Sequence, residues 1–199
     1  MSSTWRVYLL ALVSFLVGTS EYIISGILDM ISGTMGISVT SAGQLVTIFS
    51  FVYAIGTPIL MALTAKAERQ KLLVWALGIF VSGNVLSYAL PGYASFLAAR
   101  VIMALGAGMT VVTALDIAAK IAAPGKQGSS IATVVMGFTA SLIIGVPLGR
   151  IVAAQFGWRS VFGLLALAGL AAMFILYASI PRVQGDKPMP LSRQLAFLK

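Results

Sequence analysis

Three ionisable residues lie within long apolar stretches of the sequence, namely Glu21, Asp29 and Arg100. A charged side chain near the centre of a bilayer costs about 2.5–3.5 kcal/mol on insertion scales, so such residues are retained for pairing or for function. The sequence places no basic residue at the predicted depth of Glu21, and a buried carboxyl without a cation favours its protonated form. Glu21 is therefore predicted to bind a proton and to release it on contact with water. The alternative is a neutral carboxyl that hydrogen-bonds to Tyr22 or Gln44.

Asp29 and Arg100 are predicted to lie at a similar depth near the outer surface of the membrane. Asp29 lies about 12 Å beyond Glu21 along the same helix, with Ser25 halfway between them, so the three residues share one broad face. The helix that carries Arg100 runs in the opposite direction and begins about five residues earlier. The sequence therefore predicts an Asp29–Arg100 ion pair, which is either a static structural contact or part of proton coupling.

Aromatic and polar side chains on these predicted helices are candidates for a solute site near the middle of the membrane. The candidates are Tyr22, Ser25, Gln44, Phe49, Tyr53 and Phe138. Aromatic residues in such helices also serve as core or lipid contacts, so their positions alone leave both roles open.

A possible ion pair at the cytoplasmic end joins two separate stretches of the chain. Asp116 lies near the predicted cytoplasmic end of its helix, on the same side as a basic loop that contains Lys66, Arg69 and Lys71. An ion pair from Asp116 to Arg69 or Lys71 would hold the cytoplasmic face in one state. The alternative is a solvated surface acid.

Small residues recur every four positions in one apolar stretch, at Gly137, Ser141, Gly145 and Gly149. Such a stripe allows another helix backbone to approach closely. Pro147 removes one hydrogen bond from the same helix and favours a bend. Close packing is expected here, and a role in gating is a further hypothesis.

The helices that must position these residues are six predicted transmembrane spans. They cover about residues 7–32, 40–65, 72–91, 95–118, 129–154 and 159–180. The chain is 59% hydrophobic and only 9% charged, which is too few charges to cover a water-exposed surface. The short alternating segments of a β-barrel are missing from the sequence. An all-α integral membrane bundle is therefore predicted, with the lipid bilayer as its main solvent.

The residue types present also exclude several kinds of function. The chain has no Cys and no His, so we expect no metal site, no other cofactor and no enzymatic nucleophile system. The net charge of +8 comes from residues in short gaps between apolar runs, which indicates membrane topology and not nucleic-acid binding.

The distribution of basic residues predicts the orientation of the chain in the membrane. Of the 13 Lys and Arg residues, 10 lie on one side, 2 lie on the other and Arg100 lies inside a span. The larger group comprises Arg6, Lys66, Arg69, Lys71, Lys120, Lys126, Arg182, Lys187, Arg193 and Lys199. By the positive-inside rule, both termini are predicted to face the cytoplasm.

An internal repeat predicts how the six spans are related. Three pairs recur at offsets of 87 to 89 residues: Gly56–Ile59 with Gly145–Leu148, Leu28-Asp29 with Leu115-Asp116, and Lys71 with Arg159. Each repeat holds three spans, so the second copy must insert upside down, as in secondary transporters. We predict two inverted three-helix repeats in residues 1–182. Residues 183–199 are predicted to begin a cytoplasmic linker to a missing second half, although a natural C-terminal tail is the alternative.

Two stretches resemble motifs of the major facilitator superfamily, of the bacterial drug and metabolite proton antiporter type. Met61–Lys71 is similar to the family's loop motif between spans two and three, but Met61 and Ala65 replace its Gly and Asp. Leu97–Arg100 resembles the start of the fourth-span motif, whose Arg is implicated in proton coupling. The resemblance assigns that role to Arg100.

The stretch Gly137–Gly149 resembles the family's antiporter motif of span five, which is taken to mark exporters. Val146 and Arg150 vary the family's pattern. Further stretches, Thr64–Arg69 and Ala119–Pro124, look most like those of purine base efflux pumps, and arabinose-efflux-like permeases are a second similar group.

The resemblance implies half of a twelve-helix transporter in the bacterial inner membrane. It would export a small organic solute, such as a purine base, a nucleoside or a drug, in exchange for protons. Its partners would be the solute, protons, the lipid bilayer and the missing C-terminal six-helix half. The alternative function is a six-span homodimeric channel or an accessory membrane subunit.

Overall fold

The computed structural model describes residues 3–181 and 183–184, and its regular elements within that part are all helical. The helices are α1 (Ser3–Gly26), α2 (Leu28–Met35), α3 (Val39–Leu63), α4 (Arg69–Ala89), α5 (Tyr93–Ile121), α6 (Gln127–Ala140), a π-helical turn (Ser141–Gly145), α7 (Val146–Phe156) and α8 (Trp158–Ser179).

Six helical stretches in the described residues are long and apolar enough to cross a bilayer, which confirms the predicted number of spans. They are Thr4–Gly26, Val39–Leu63, Arg69–Ala89, Tyr93–Ile121, Gln127–Phe156 and Trp158–Ser179. The fifth span combines α6, the π-helical turn and α7. The inverted relation of the two halves stays a prediction.

The first predicted span is interrupted, because α1 ends at Gly26 and α2 begins at Leu28. Ile27 between them has φ −127° and ψ 19°, which lies outside the helical region. The short helix α2 then ends at Gly36, whose positive φ of 63° suits a residue without a Cβ. The helix is therefore irregular between Glu21 and Asp29, which the sequence pattern did not indicate.

The small-residue stripe of the fifth span packs against α1. A Cβ atom added at Gly137 would collide with the carbonyl oxygen of Ala11, and one at Gly145 would collide with the hydroxyl of Thr19. The close approach that the spacing predicts is present, because each glycine of the stripe lets the backbone of the fifth span reach a side chain or carbonyl of α1.

The π-helical turn lies directly before Pro147. The Val146 N–H donates to the Ser141 carbonyl, which is the i→i−5 pattern that defines the turn. Pro147 has no N–H to donate, so the helix cannot continue its regular hydrogen bonding at this point. The irregularity that Pro147 predicts thus takes the form of a π turn.

We expect Gly137→Ala to destabilise the α1–α6 contact by about 1–3 kcal/mol, because the added methyl group must push two helix backbones apart. Gly128→Ala is a matched control on the same helix, since nothing lies within 4 Å of its Cβ position. The measurement is the thermal unfolding temperature of each purified variant in detergent. Equal unfolding temperatures for the two variants would contradict the proposed packing.

Candidate functional site

Arg100 of α5 is the largest fully buried side chain in the described residues. Its Nη1 donates to the Ser20 carbonyl at 2.9 Å, its Nη2 to the Glu21 carbonyl at 3.4 Å and its Nε to the Leu45 carbonyl at 3.5 Å. The guanidinium carbon also lies 4.0 Å from the centre of the Phe49 ring. Backbone carbonyls of α1 and α3 and one aromatic face therefore replace water around a buried cation.

The carboxyl group of Glu21 lies in the electrostatic field of this cation. Its Oε2 atom is buried and has no hydrogen-bond partner among the described residues. The prediction that no basic residue shares the depth of Glu21 is wrong, since Arg100 contacts its main chain. The long side chain of Arg100 reaches from α5 to the main chain of α1 at Ser20 and Glu21.

The predicted Asp29–Arg100 pair is also wrong. Asp29 pairs instead with Arg150 of α7, whose two terminal nitrogens lie 3.0 and 2.9 Å from the carboxylate oxygens. Arg150 also donates to the Gly26 carbonyl, immediately before the break at Ile27. Asp29 contacts α7 and not α5, so the partner that was predicted from depth along one straight helix was incorrect.

The Asp29–Arg150 pair is largely open to solvent, with 62% and 50% of the two side chains exposed. Hydrogen bonds from Arg150 hold the pKa of Asp29 below its ordinary value. The sequence offered one signal for this contact, since Arg150 is an additional charged residue directly after the stretch that resembles the antiporter motif.

The predicted solute-contacting residues separate into two groups. Tyr22 and Phe138 meet edge to face at 5.7 Å, and Tyr53 stacks on Phe49 at 6.0 Å. Tyr22, Tyr53 and Phe138 are partly exposed, whereas Phe49 is fully buried beneath Arg100. Phe49 is therefore a packing partner of the cation. Tyr22 and Tyr53 present surface near Glu21, and Phe138 packs on Tyr22.

Ser25 and Gln44 are both exposed. The Gln44 Oε1 accepts a hydrogen bond of 3.2 Å from the Tyr93 hydroxyl, which also donates to the Ser41 carbonyl at 2.8 Å. Gln44 therefore joins α3 to the beginning of α5. The structure does not place it with Glu21.

A second set of charges lies where α4 begins and α5 ends. The Arg69 Nε lies 2.7 Å from an oxygen of Asp116, and Lys120 approaches the same oxygen at 3.0 Å. Of the two predicted partners, Arg69 is the one that Asp116 contacts, while Lys71 pairs with Glu68 at 3.0 Å. The side chain of Arg69 is only 5% exposed, so this pair is better shielded from water than a surface ion pair.

The chain after α8 returns to this charged cluster. The Arg69 N–H donates to the Val183 carbonyl at 2.8 Å, and the Lys120 ammonium donates to the Gln184 carbonyl at 3.4 Å. Lys66 is exposed in the loop before α4. Arg182, Lys187, Arg193, Lys199 and the rest of the predicted linker lie outside the described residues.

Two residues beside Glu21 and Arg100 were missed by sequence reasoning. Ser20 offers its carbonyl to Arg100, and its hydroxyl donates to the side-chain oxygen of Asn84 at 3.3 Å. A buried Asn in an apolar span is itself a signal, because an amide in such a place needs partners.

Six apolar spans around a buried cation and a partly buried carboxyl are typical of a membrane transport protein. The chain belongs to the Major Facilitator Superfamily, whose family profile matches residues 10–197.

Two relatives illustrate this membership. The chain is 67% identical over 199 residues to YbcL, an uncharacterized MFS-type transporter of Bacillus subtilis (strain 168). The matched region is 100% of this chain and 51% of that protein. It is 26% identical over 194 residues to a probable sugar efflux transporter of Helicobacter acinonychis (strain Sheeba), covering 98% and 50% of the two chains. The chain thus spans about half the length of these relatives.

The fold agrees with solved transporter structures. A bacterial homologue of the human lysosomal transporter Spinster superimposes with a TM-score of 0.79 over 98% of this chain and 47% of that chain. The sequences are 18% identical, so this likeness concerns the fold alone.

We expect the stabilising effect of the Asp29–Arg150 pair to depend on pH. Because the folded pKa of Asp29 is lowered, the contribution is complete above the ordinary value of 3.8 and is lost as the pH falls through the folded value. Asp29→Asn should therefore lower the unfolding temperature near neutral pH and match the unsubstituted protein in acid. A difference that does not change with pH would contradict the ion pair.

Proposed function

We propose that this chain is the N-terminal half of a proton-coupled antiporter that exports a small organic solute across the bacterial cytoplasmic membrane. The other six helices would lie in the second half of the full-length protein. The N-terminus would face the cytoplasm, as the positive-inside rule predicts. The solute site would lie near the middle of the membrane, between the two halves.

The observation that carries this proposal is the buried, unpartnered Oε2 of Glu21 beside the buried guanidinium of Arg100. A carboxyl in such a place has two accessible states. The protonated form needs no counter-ion, whereas the ionised form depends on Arg100. Opening the site to one side of the membrane and then to the other lets the same group release and bind a proton.

Solute and proton would compete for this region. Glu21 would release its proton towards the cytoplasm as the solute enters, and would bind a new proton when the site opens outward. The exchange would move the solute out as protons move in. Arg100 would stabilise the ionised form of Glu21 while the solute binds.

The residue types of the region favour a flat or amphipathic solute. The partly exposed rings of Tyr22 and Tyr53 lie near Glu21, and Phe138 packs on Tyr22. Aromatic faces stack well on planar heterocycles, and a carboxylate accepts hydrogen bonds from ring N–H groups. A purine base, a nucleoside or an amphipathic drug fits this chemistry. The efflux named for the relative from Helicobacter acinonychis supports the outward direction.

Two further ion pairs would act in gating. Arg69–Asp116 ties α4 to α5 at the predicted cytoplasmic end, and Asp29–Arg150 ties α2 to α7 at the predicted outer end. Lys66 and Lys71 extend the basic surface near the first pair. The glycine stripe and Pro147 would let α6 and α7 shift against α1 as these pairs form and break.

We expect Glu21→Gln to abolish uphill efflux of the exported solute, because an amide cannot bind and release a proton at this point. The measurement is the loss of radiolabelled adenine, arabinose or ethidium from energised cells that express the full-length protein. Expression in the membrane fraction should be unchanged.

Glu68→Gln is the matched control, since Glu68 is the other glutamate of the chain and lies at the beginning of α4, beside Lys71. We expect this variant to retain uphill efflux. Unchanged efflux in Glu21→Gln would refute the role of Glu21.

A further inference from the structure

Asn84 of α4 is a fully buried amide that faces α1. Its Nδ2 donates to the Phe80 carbonyl one turn earlier in its own helix, at 2.9 Å. That bond orients the side chain so that Oδ1 accepts the Ser20 hydroxyl at 3.3 Å. Asn84 thus links α4 to the residue that directly precedes Glu21.

Ser20 forms hydrogen bonds with two different helices. Its carbonyl accepts the shortest of the hydrogen bonds that Arg100 donates to the backbone, at 2.9 Å, and its hydroxyl donates to Asn84. One contact comes from α5 and the other from α4. Since Glu21 is the next residue in α1, the two contacts together hold the main chain from which its side chain extends.

The two helices that hold Ser20 are themselves closely packed. A Cβ at Gly83 of α4 would come within 3.0 Å of the Ala99 carbonyl of α5. A Cβ at Gly106 of α5 would collide with the backbone of Phe80 in α4. Asn84 and Arg100 therefore lie on a pair of helices whose separation is constrained, and α1 is positioned against both.

We propose that Asn84 is a positioning residue that sets the proton affinity of Glu21 through Ser20. The inference rests on the proposed function, in which Glu21 binds the coupling proton. Charged or titratable groups near Glu21 are Arg100 from α5, Tyr53 from α3 and Tyr22 from its own helix. Asn84 is uncharged and acts only by holding α1 in place.

The test is an infrared pH titration of the full-length protein in lipid vesicles, with the proton as the only ligand. The C=O stretch of a protonated carboxyl is followed, and the spectrum of Glu21→Gln is subtracted to isolate Glu21. Asn84→Leu keeps the side-chain volume and removes the amide. Ser20→Ala removes the same hydrogen bond from the other helix.

Ser87→Ala is the matched control. Ser87 is also buried in α4, but its hydroxyl donates to the Gly83 carbonyl and to the Met103 sulfur, and neither group belongs to α1. This variant loses a buried hydrogen bond of α4 and leaves the link to Ser20 intact.

We expect Asn84→Leu to move the titration midpoint of Glu21 to higher pH by about one unit, because a carboxylate farther from Arg100 is protonated more readily. Ser20→Ala should give the same shift, and the double variant should add little, since both remove one interaction. Ser87→Ala should leave the midpoint unchanged.

Unshifted midpoints in Asn84→Leu and Ser20→Ala, with lowered unfolding temperatures, would show a merely structural role and overturn the inference alone. If Glu21→Gln leaves the spectrum of the unsubstituted protein unchanged, Glu21 does not titrate. That result would overturn both the inference and the proposed function.

Discussion

The burial of one guanidinium group constrains the arrangement of the helices around it. A cation taken out of water carries a penalty of several kcal/mol unless polar groups surround it. Arg100 meets this need with the carbonyls of Ser20, Glu21 and Leu45 and with the face of Phe49. Helices α1, α3 and α5 must therefore meet at one point. The glycines that bring α4 close to α5, and α6 close to α1, make such a meeting sterically possible.

The same constraint gives Glu21 its chemical character. The backbone carbonyls satisfy hydrogen-bond donors of Arg100 but do not neutralise its charge, so a nearby carboxylate remains favourable. The carboxyl of Glu21 is itself partly shielded from water, which opposes ionisation. Two opposing effects act on one carboxyl, so its proton is exchanged when its surroundings change. The proposed coupling depends on this balance.

Sequence reasoning predicted the number of spans, the close-packing stripe and a contact of Asp116 with Arg69 or Lys71, because each follows from composition or from depth in the membrane. The structure shows Arg69 as the partner. It missed the partners of Asp29 and Arg100 for two physical reasons. The break at Ile27 comes from local backbone geometry that apolar composition does not encode. Every residue has a main-chain carbonyl, so residue type does not indicate which carbonyls accept hydrogen bonds from Arg100.

The most direct test of the central claim is solute-stimulated proton movement in vesicles that contain the full-length protein. An imposed pH gradient is monitored with an internal dye while adenine, arabinose or ethidium is added to the side from which it would be exported. The account predicts that at least one solute collapses the gradient faster, at a rate that rises with its concentration. Solute transport that leaves the pH gradient untouched would contradict it.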